Sequence, residues 1–324
     1  MNLLSATLGV IVLALTVIIA SKVIDVFVEI QAPPPPPVKS NFALLVNISN
    51  NATIRWNHFP LTVYIDTSFL DESNKGYANN VRDAMRNWES STSNLVTFQE
   101  ITNPDADITI EWVSKLSEKS LDTIGDTKLT FVNVSNVGII HDAKIELLIK
   151  SGSKKLNSND MINLALHEIG HALGLEHAED ETNIMYPVLT VPSDKVIQIS
   201  NNEKQILQNT YKIQPKADLS VIEVNVTKST VKRLVQTFYL LNISMTIENR
   251  GWLDISSTEM VIKTDGKVVK TEMLNNMPVG NKLTIIYGNL YVKDDFSNVE
   301  IVLDPDNAID ELDEGNNAAM VKIQ

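Results

Sequence analysis

The strongest constraint on the fold is the string His167-Glu-Ile-Gly-His-Ala-Leu-Gly-Leu-Glu-His177. Residues four apart on a helix lie about 6 Å apart on one face, so His167 and His171 can direct their imidazoles at one metal ion. Gly174 permits the left-handed backbone that ends a helix, and this exit can bring His177 back as a third ligand. The string therefore predicts a helix over residues 160–173 with a metal site near its C-terminal end.

Three histidine ligands leave one position of a tetrahedral zinc ion open, an arrangement typical of catalytic sites. Glu168 follows the first ligand and is expected on the side of the ion where a water would bind. Zinc lowers the pKa of its water to about 7, and a carboxylate in reach can accept the proton and pass it to a leaving amine. We therefore predict one catalytic Zn²⁺, held by His167, His171 and His177, and amide hydrolysis with Glu168 as the general base.

The composition is compatible with this chemistry and excludes several others. The 324 residues suggest two domains, and 44% hydrophobic with 21% charged residues is ordinary for a globular protein. Lys and Arg number 27 against 40 Asp and Glu, giving a net charge of −13 that repels phosphate backbones, so no nucleic-acid partner is expected. There is no cysteine, which excludes disulfides, thiolate metal sites and a cysteine nucleophile.

The N-terminus carries an apolar, uncharged stretch, residues 3–20, that is long enough to cross most of a ~30 Å hydrocarbon core. No Lys or Arg precedes it, and only Ala20 offers a small residue before Ser21, which favours a retained membrane anchor over a cleaved signal. A buried core helix is the weaker alternative. The favoured interpretation predicts membrane contact through this helix and a cell-surface, single-pass protein with its catalytic domain outside. If the segment is cleaved, the protein would be secreted.

We predict four segments along the chain. Residues 1–30 are the anchor or an uncleaved signal, and residues 31–57 are a linker with five consecutive prolines that favour an extended spacer. Residues 58–214 form the catalytic domain. Residues 215–324 form an all-β domain, because helical periodicity disappears after Pro215-Lys-Ala-Asp218.

The pattern of apolar residues predicts an α+β layer domain followed by a small antiparallel β-sandwich. In the catalytic domain, alternation predicts strands over residues 61–65, 96–98, 106–110, 130–134, 137–141 and 143–149. Helical spacing predicts helices over residues 75–90, 160–173 and 200–211. In the last domain, strands are predicted over residues 219–226, 235–248, 260–269, 282–287 and 299–303.

A short apolar turn, Asn183-Ile-Met-Tyr-Pro187, follows the third histidine. With this turn, the string resembles the metzincin zinc peptidases, whose pattern is HExxHxxGxxH followed by a Met-turn. The similarity is greatest to the matrixins and covers about His58 to Tyr211, although Ala178 stands where matrixins usually carry Ser. The resemblance implies a twisted mixed sheet with an antiparallel edge strand above a cleft, a long zinc-binding helix, and Met185 as the Met-turn beneath the ligands.

The resemblance also implies where a substrate binds. Residues 143–148 match the edge strand that pairs with an extended peptide. This match gives three substrate-binding residues, Ala143, Ile145 and Leu147. The wall of the pocket for the residue after the scissile bond is matched by Tyr186, Pro187 and Val188. Cleavage should therefore favour an apolar residue at that position.

Matrixins also tend to carry a second zinc and calcium ions. His58 and His141 remain outside the triad, and we predict them as a surface residue and a strand-end residue rather than as ligands. The loop over residues 119–128 lacks a recognisable carboxylate cage for Ca²⁺. A calcium site therefore has no support from the sequence of this domain.

The last third of the chain resembles the CARDB family, cell-adhesion-related sandwich domains of prokaryotic surface proteins. The matching segments are residues 217–219, 247–251 and 304–317. The resemblance implies a role in presentation or adhesion, with a cell-surface or matrix partner. Ca²⁺ is not supported here either, because the spacing of the candidate acids lacks the turn glycine of an EF-hand loop. These acids, interpreted as solvated residues of a hairpin, are Asp304, Asp306 and Asp310.

Three hypotheses follow for the function of the whole chain. The first is an extracellular or cell-surface zinc endopeptidase that acts on proteins or peptides. The alternative is a catalytically silent adhesion or peptide-binding protein on a metzincin scaffold. The intact Glu168 disfavours the alternative, because a decayed enzyme could lose its general base while keeping its fold. Hydrolysis of a non-peptide amide is a third and less favoured interpretation, given the edge strand and the Met-turn.

Overall fold

A computed structural model describes residues 53–116, 123–233 and 236–323 of the chain. The first part of these residues folds as a mixture of helices and strands. Its elements, in chain order, are β1 (Thr53–Arg55), β2 (Leu61–Asp66), α1 (Tyr77–Ser91), β3 (Phe98–Glu100), β4 (Ile108–Trp112), β5 (Gly125–Val134), β6 (Val137–Leu147), β7 (Lys150–Ser151), β8 (Lys154–Lys155), α2 (Ser158–Ala172) and α3 (Asn201–Tyr211). The predicted helices are therefore present, with ends that differ by one or two residues.

Strands β1 to β6 form one mixed sheet with the order β1-β6-β4-β2-β3, in which β5 also pairs with β6. All pairs are parallel except β5 with β6, which is antiparallel from Gly125 opposite Leu147 to Val134 opposite Val137. Among the strands of the described residues, β5 pairs with β6 alone. An antiparallel edge strand is therefore present, and it is β5.

The predicted position of the edge strand, residues 143–148, is wrong. Over residues 143–147, β6 lies between β4 and β5 and is hydrogen-bonded on both sides. Ala143, Ile145 and Leu147 are at most 1% exposed and belong to the core. Their alternating apolar pattern reflects burial of a central strand under a helix, and alternation alone does not distinguish a central strand from an edge strand.

Helix α2 owes its start and its end to identifiable residues. Asn157 caps it by accepting from the Asp160 backbone N–H, while the Asp160 carboxylate accepts from the Asn157 N–H, which completes a capping box. Gly174, just beyond the helix, has a φ of +90°, and a Cβ there would lie 2.4 Å from the carbonyl oxygen of Ile54. Glycine is thus required both for the backbone conformation and for the close approach of β1.

Helices α1 and α2 pack against each other, and α2 lies against β5 and β6. The predicted apolar face of α1, which includes Val81, Ala84 and Trp88, is fully buried. The Trp88 indole N–H donates to the Leu166 carbonyl of α2 at 3.0 Å. This packing fixes the long helix against the sheet, with its C-terminal half beside the edge strand.

The second part of the described chain is all β. Its strands are β9 (Leu219–Arg233), β10 (Gln236–Asn249), β11 (Ile255–Thr264), β12 (Lys267–Met277), β13 (Lys282–Val292), β14 (Asn298–Leu303) and β15 (Ala318–Lys322). They form two antiparallel sheets, β13-β10-β9 and β12-β11-β14-β15, over one hydrophobic core. The predicted strand over residues 260–269 is two strands, because Asp265 and Gly266 both have positive φ and form a tight hairpin turn.

The two parts contact each other at the turn between β5 and β6. Val134 and Ile139 form a small apolar cluster with Val279, against which Val132 and Trp252 also pack. The Ser135 hydroxyl at this turn donates to the Arg250 carbonyl at 3.3 Å. The all-β part is therefore docked on the end of β5 that lies away from α2.

The predicted location as a single-pass membrane protein is wrong for the chain that the structure describes. Within residues 53–116, 123–233 and 236–323, no helix is both long and apolar enough to cross a membrane. The predicted anchor, residues 1–30, lies outside the described residues, as does most of the predicted linker, residues 31–57.

Candidate metal centre

The three histidines of the string converge on one point. His171 Nε2 lies 3.1 Å from His167 Nε2 and 3.1 Å from His177 Nε2. His167 and His171 project from the last turns of α2, and the turn at Gly174 returns the chain so that His177 approaches from a loop. Within the described residues, this is the one group of three or more His, Cys, Asp or Glu whose ligand atoms all lie within 4.8 Å.

Backbone carbonyls orient two of the imidazoles. His167 Nδ1 lies 2.8 Å from the Ile184 carbonyl oxygen, and His171 Nδ1 lies 2.8 Å from the Leu175 carbonyl oxygen. A carbonyl can only accept, so each Nδ1 carries the hydrogen and each Nε2 presents a lone pair to the shared point. Burial lowers the pKa of His167, which favours the neutral form that binds metal.

The donor set fits a zinc ion. Nitrogen ligands at about 2.0–2.1 Å from tetrahedral zinc are separated by about 3.3 Å, close to the spacing of these nitrogens. Three neutral imidazoles are also a ligand set that zinc prefers. The arrangement can therefore hold one ion and leave a position open toward the cleft.

Glu168 is 4% exposed and lies against the edge strand β5. The Thr127 hydroxyl donates to its Oε2 at 2.6 Å. A Cβ at Gly125 would lie 2.3 Å from its Oε1. Sequence reasoning missed both β5 residues, because 41 positions separate Thr127 from Glu168 and no local spacing connects them.

Met185 is buried against the C-terminal part of α2, at Gly170. A Cβ at Gly170 would lie 2.3 Å from its Sδ, so the thioether sits directly on the backbone of α2. Its N–H donates to Glu203 Oε1 at 3.0 Å, and its carbonyl accepts from the Ala178 N–H at 2.8 Å. Glu203 Oε2 accepts from the Ser200 N–H at the start of α3. One carboxylate therefore joins the Met185 turn to α3.

The triad opens into a cleft of about 1440 Å³. Pro187 and Val188, two of the predicted substrate-binding residues, line this cleft, and Val188 is 65% exposed. Tyr186 is half-buried beside them. Ala143, Ile145 and Leu147 are in the core, so the structure does not bring them to the cleft. Gly125 and Thr127 of β5 line the cleft in their place.

The cleft is acidic. Of the described residues that line it, none is Lys or Arg, and the acids are Asp126, Glu168, Glu176, Glu179, Asp180 and Glu203. Glu176, Glu179 and Asp180 are exposed on the loop that carries the third histidine. The rim of the cleft therefore presents negative charge to solvent.

The remaining candidate ligands lie outside the group of three histidines. His58 is exposed and its ring nitrogens contact Asn57 and Asp107, while His141 is exposed on β6. Asp304 accepts from the Ile309 N–H at 2.8 Å, and Asp310 pairs with Lys216.

Comparison with known proteins matches two family models, Matrixin over residues 55–212 and CARDB over residues 216–321. Human matrix metalloproteinase-26 is 27% identical over 161 residues, which cover 48% of this chain and 59% of that protein. Stromelysin-2 of Rattus norvegicus is 26% identical over 175 residues, covering 52% of this chain and 36% of the relative. Karilysin of Tannerella forsythia is 29% identical over 144 residues, covering 42% and 29%.

The chain thus spans about three fifths of the first of these relatives and about a third of the other two. Among solved structures, a CARDB domain from Pyrococcus furiosus, described as a complex with di-metal ions, covers 34% of this chain and 93% of that chain with 16% identity and a TM-score of 0.26. The resemblances to matrixins and to CARDB domains are confirmed by the family matches. The chain carries a matrixin domain over residues 55–212, followed by a CARDB domain over residues 216–321.

Proposed function

We propose that this chain is a zinc-dependent endopeptidase that hydrolyses peptide bonds of proteins. The observation that carries the proposal is the convergence of three Nε2 atoms beside the buried Glu168 carboxylate in an open cleft. The named relatives include matrix metalloproteinases and a stromelysin, which supports the same class of reaction.

His167, His171 and His177 would hold the ion through Nε2. When bound, zinc lowers the pKa of a water to about 7 and polarises a carbonyl. Glu168 accepts the proton from the attacking water and donates it to the nitrogen of the leaving amine. Its burial next to β5 limits the orientations of the carboxylate, which keeps the proton acceptor on the cleft side of α2.

The substrate is proposed to pair with β5 rather than with β6. Among described strands β5 has a ladder on one side only, and residues 125–127 line the cleft next to Glu168. An extended peptide added to such an edge gains main-chain hydrogen bonds, with its side chains alternating between the cleft and solvent. Pro187 and Val188 offer an apolar wall to the residue that follows the scissile bond.

The domain organisation belongs to the proposal as well. The peptidase domain would include β1, and so would begin before the predicted residue 58, and would end at residue 214; residues 215–324 would form a CARDB domain that presents it. The family matches, which end at residue 212 and begin at residue 216, support a boundary at Pro215.

The test is cleavage of a denatured protein and a peptide library by the zinc-loaded chain, with and without a chelator. We expect cleavage that the chelator abolishes, zinc restores, and Glu168→Gln lowers by about 10²–10⁴ in kcat. Glu89→Gln, a change at a glutamate of α1 that does not line the cleft, is the matched control. Cleavage no greater than that of Glu168→Gln would reject the enzyme and leave a peptide-binding scaffold.

A further inference from the structure

Strand β5 touches the Glu168 carboxylate at two points. The Thr127 hydroxyl donates to Oε2 at 2.6 Å and also lies 3.0 Å from the Glu168 carbonyl oxygen. A hydroxyl has one hydrogen, so the shorter contact, to the charged oxygen, is the stronger of the two. Thr127 thus holds one specific oxygen of the carboxylate.

The second contact is at Gly125, two residues earlier on the same face of β5. A Cβ there would lie 2.3 Å from Glu168 Oε1, 2.8 Å from Glu168 Cδ and 2.7 Å from Leu164 Cδ1. The backbone of Gly125 is not in the left-handed region, so its conformation would allow another residue. Space for the carboxylate, and not backbone freedom, is therefore what requires glycine at this position.

We propose that Thr127 and Gly125 are positioning residues that set the orientation of the Glu168 carboxylate in the reaction. A glutamate has three rotatable bonds, and its terminal torsion is broad. Thr127 is β-branched and stiff, and its strand is fixed by pairing with Ile145 of β6. The hydrogen bond to Oε2 and the close approach of Gly125 at Oε1 together leave the carboxylate few orientations.

This inference rests on the proposed function, and it gives the edge strand a second role beside pairing with substrate. The residues that would pair with an extended substrate also hold the general base. The positions of the substrate and of the Glu168 carboxylate are therefore both fixed relative to one strand, β5. Disturbing the orientation of Glu168 should slow the chemical step while substrate binding along β5 persists. The effect should therefore appear in kcat more than in KM.

The test compares three variants of the zinc-loaded full chain with the wild type on one cleaved peptide. Thr127→Val removes the hydroxyl at nearly constant shape, and Thr127→Ser keeps it. We expect Thr127→Val to lower kcat about tenfold or more with KM within about twofold, and Thr127→Ser to recover most of the loss. Gly125→Ala should also lower kcat, because the new methyl displaces the carboxylate.

Matched controls use the same chemical changes away from Glu168. Thr271→Val alters an exposed threonine of the CARDB domain, and Gly288→Ala places a methyl where no atom lies within 4 Å. Both should leave kcat and KM unchanged. Zinc affinity, measured by competition with a chromophoric chelator, should be equal in all variants.

A readout independent of activity is thermal unfolding of the metal-free chain. In the wild-type background, Thr127→Val removes a donor from the Glu168 carboxylate and should lower the melting temperature. In a Glu168→Ala background, the same change should lower the melting temperature by less, because the contact is already absent. Equal shifts in both backgrounds would overturn the contact. The positioning role would be overturned by an unchanged kcat in Thr127→Val or by equal losses of kcat in Thr127→Val and Thr127→Ser. A loss of kcat that follows a loss of zinc affinity would overturn it as well.

The outcomes separate the inference from the function on which it rests. If wild-type chain loaded with zinc cleaves nothing, the proposed function fails, and the unfolding experiment alone decides whether the contact exists. If the wild type cleaves and Thr127→Val matches it, the function stands and the positioning role is rejected.

Discussion

At the scale of single residues, the proposed zinc ligands are oriented by the backbone. His167 and His171 each direct Nδ1 at a carbonyl that immediately follows the helix or belongs to the Met185 turn. A neutral carbonyl orients an imidazole without adding a charge beside the ion. The ligand geometry is therefore tied to the path of the chain between residues 175 and 184, and not to a carboxylate elsewhere in the fold.

The histidine site was predictable from sequence because its information is local. The spacing of the histidines and the glycine between the last two fix a helix, its exit and the shared face. Thr127 and Gly125 were not predictable, because their contact with Glu168 depends on how β5 packs on α2. Nothing in the residues around Thr127 distinguishes it from any other threonine of an edge strand.

Glu311, in the CARDB domain, provides a prediction about pH. It is 3% exposed, accepts from the Leu219 N–H and from Asn317 Nδ2, and faces the acids Glu314 and Asp218. Burial, with a contribution from these acids, raises the pKa of Glu311 from 4.5 to about 7. The native state therefore binds more protons than the unfolded state between these two values, and stability falls as pH rises through that interval.

We expect the melting temperature of the metal-free chain to include a decline between pH 5 and pH 7.5 that Glu311→Gln reduces. Asp306→Asn, a change at an exposed acid of the same domain, is the control and should leave the decline unchanged. Thermal unfolding across this pH range measures both. Parallel pH profiles for the wild type and Glu311→Gln would contradict the assignment.

At the scale of elements, the pattern of apolar residues predicts where strands of the sheet lie in the sequence but not which strand is its edge. Apolar alternation located β2 to within one residue, because this strand buries one face, but it divided the single strand β6 into two predicted strands, 137–141 and 143–149. It could not say which strand forms the edge, since pairing partners lie far away in the chain. Along β5, partly buried residues alternate with exposed Lys128 and Thr130, as expected of an edge strand. The strand could be identified as the edge only from its pairing with β6.

The loop that carries His177 determines the charge of the cleft and provides a prediction about substrates. Glu176, Glu179 and Asp180 are exposed on the rim, and none of the described lining residues is Lys or Arg. Charges of one sign along a cleft attract ligands of the opposite sign and do so less at high ionic strength. Among peptides with the same apolar residue directly after the scissile bond, those with lysine before the cleavage site should therefore be preferred to matched peptides with glutamate there.

We expect kcat/KM for the lysine peptide to exceed that for the glutamate peptide by about tenfold at low salt and by less at 0.5 M salt. Glu179→Lys should narrow the difference, and Asp306→Lys, which changes charge equally in the other domain, should not. A ratio that is unaffected by salt or by Glu179→Lys would show that the rim charge does not select substrates.

At the scale of the whole molecule, one buried arginine lies between the end of α3 and the CARDB domain. Arg55 is 3% exposed, and its Nη1 donates to the carbonyls of Thr210 and Ile213 at 2.9 Å each, at the end of α3. Its guanidinium lies 4.9 Å from the ring of Trp252 and 5.2 Å from that of Tyr211. A guanidinium between aromatic faces, with its N–H groups on carbonyls, is stabilised without an acidic partner.

This interface predicts that the domains unfold together. Trp252→Ala should lower the free energy of unfolding by about 2 kcal/mol or more and should split a single calorimetric transition into two. Tyr291→Ala removes an exposed aromatic side chain of the CARDB domain, and should leave one transition. Two transitions already present in the wild type would show that the domains are not thermodynamically coupled.

Strand β5 makes one contact toward each of its two ends, and these contacts limit how its length can change in evolution. At about 3.3 Å per residue, β5 spans about 23 Å from Thr127, which contacts Glu168, to Val134, which contacts the CARDB domain. Inserting or deleting one residue turns every later side chain to the other face, which would remove one of the two contacts. In descendants that keep both domains, β5 should therefore tolerate substitution far better than a change of length.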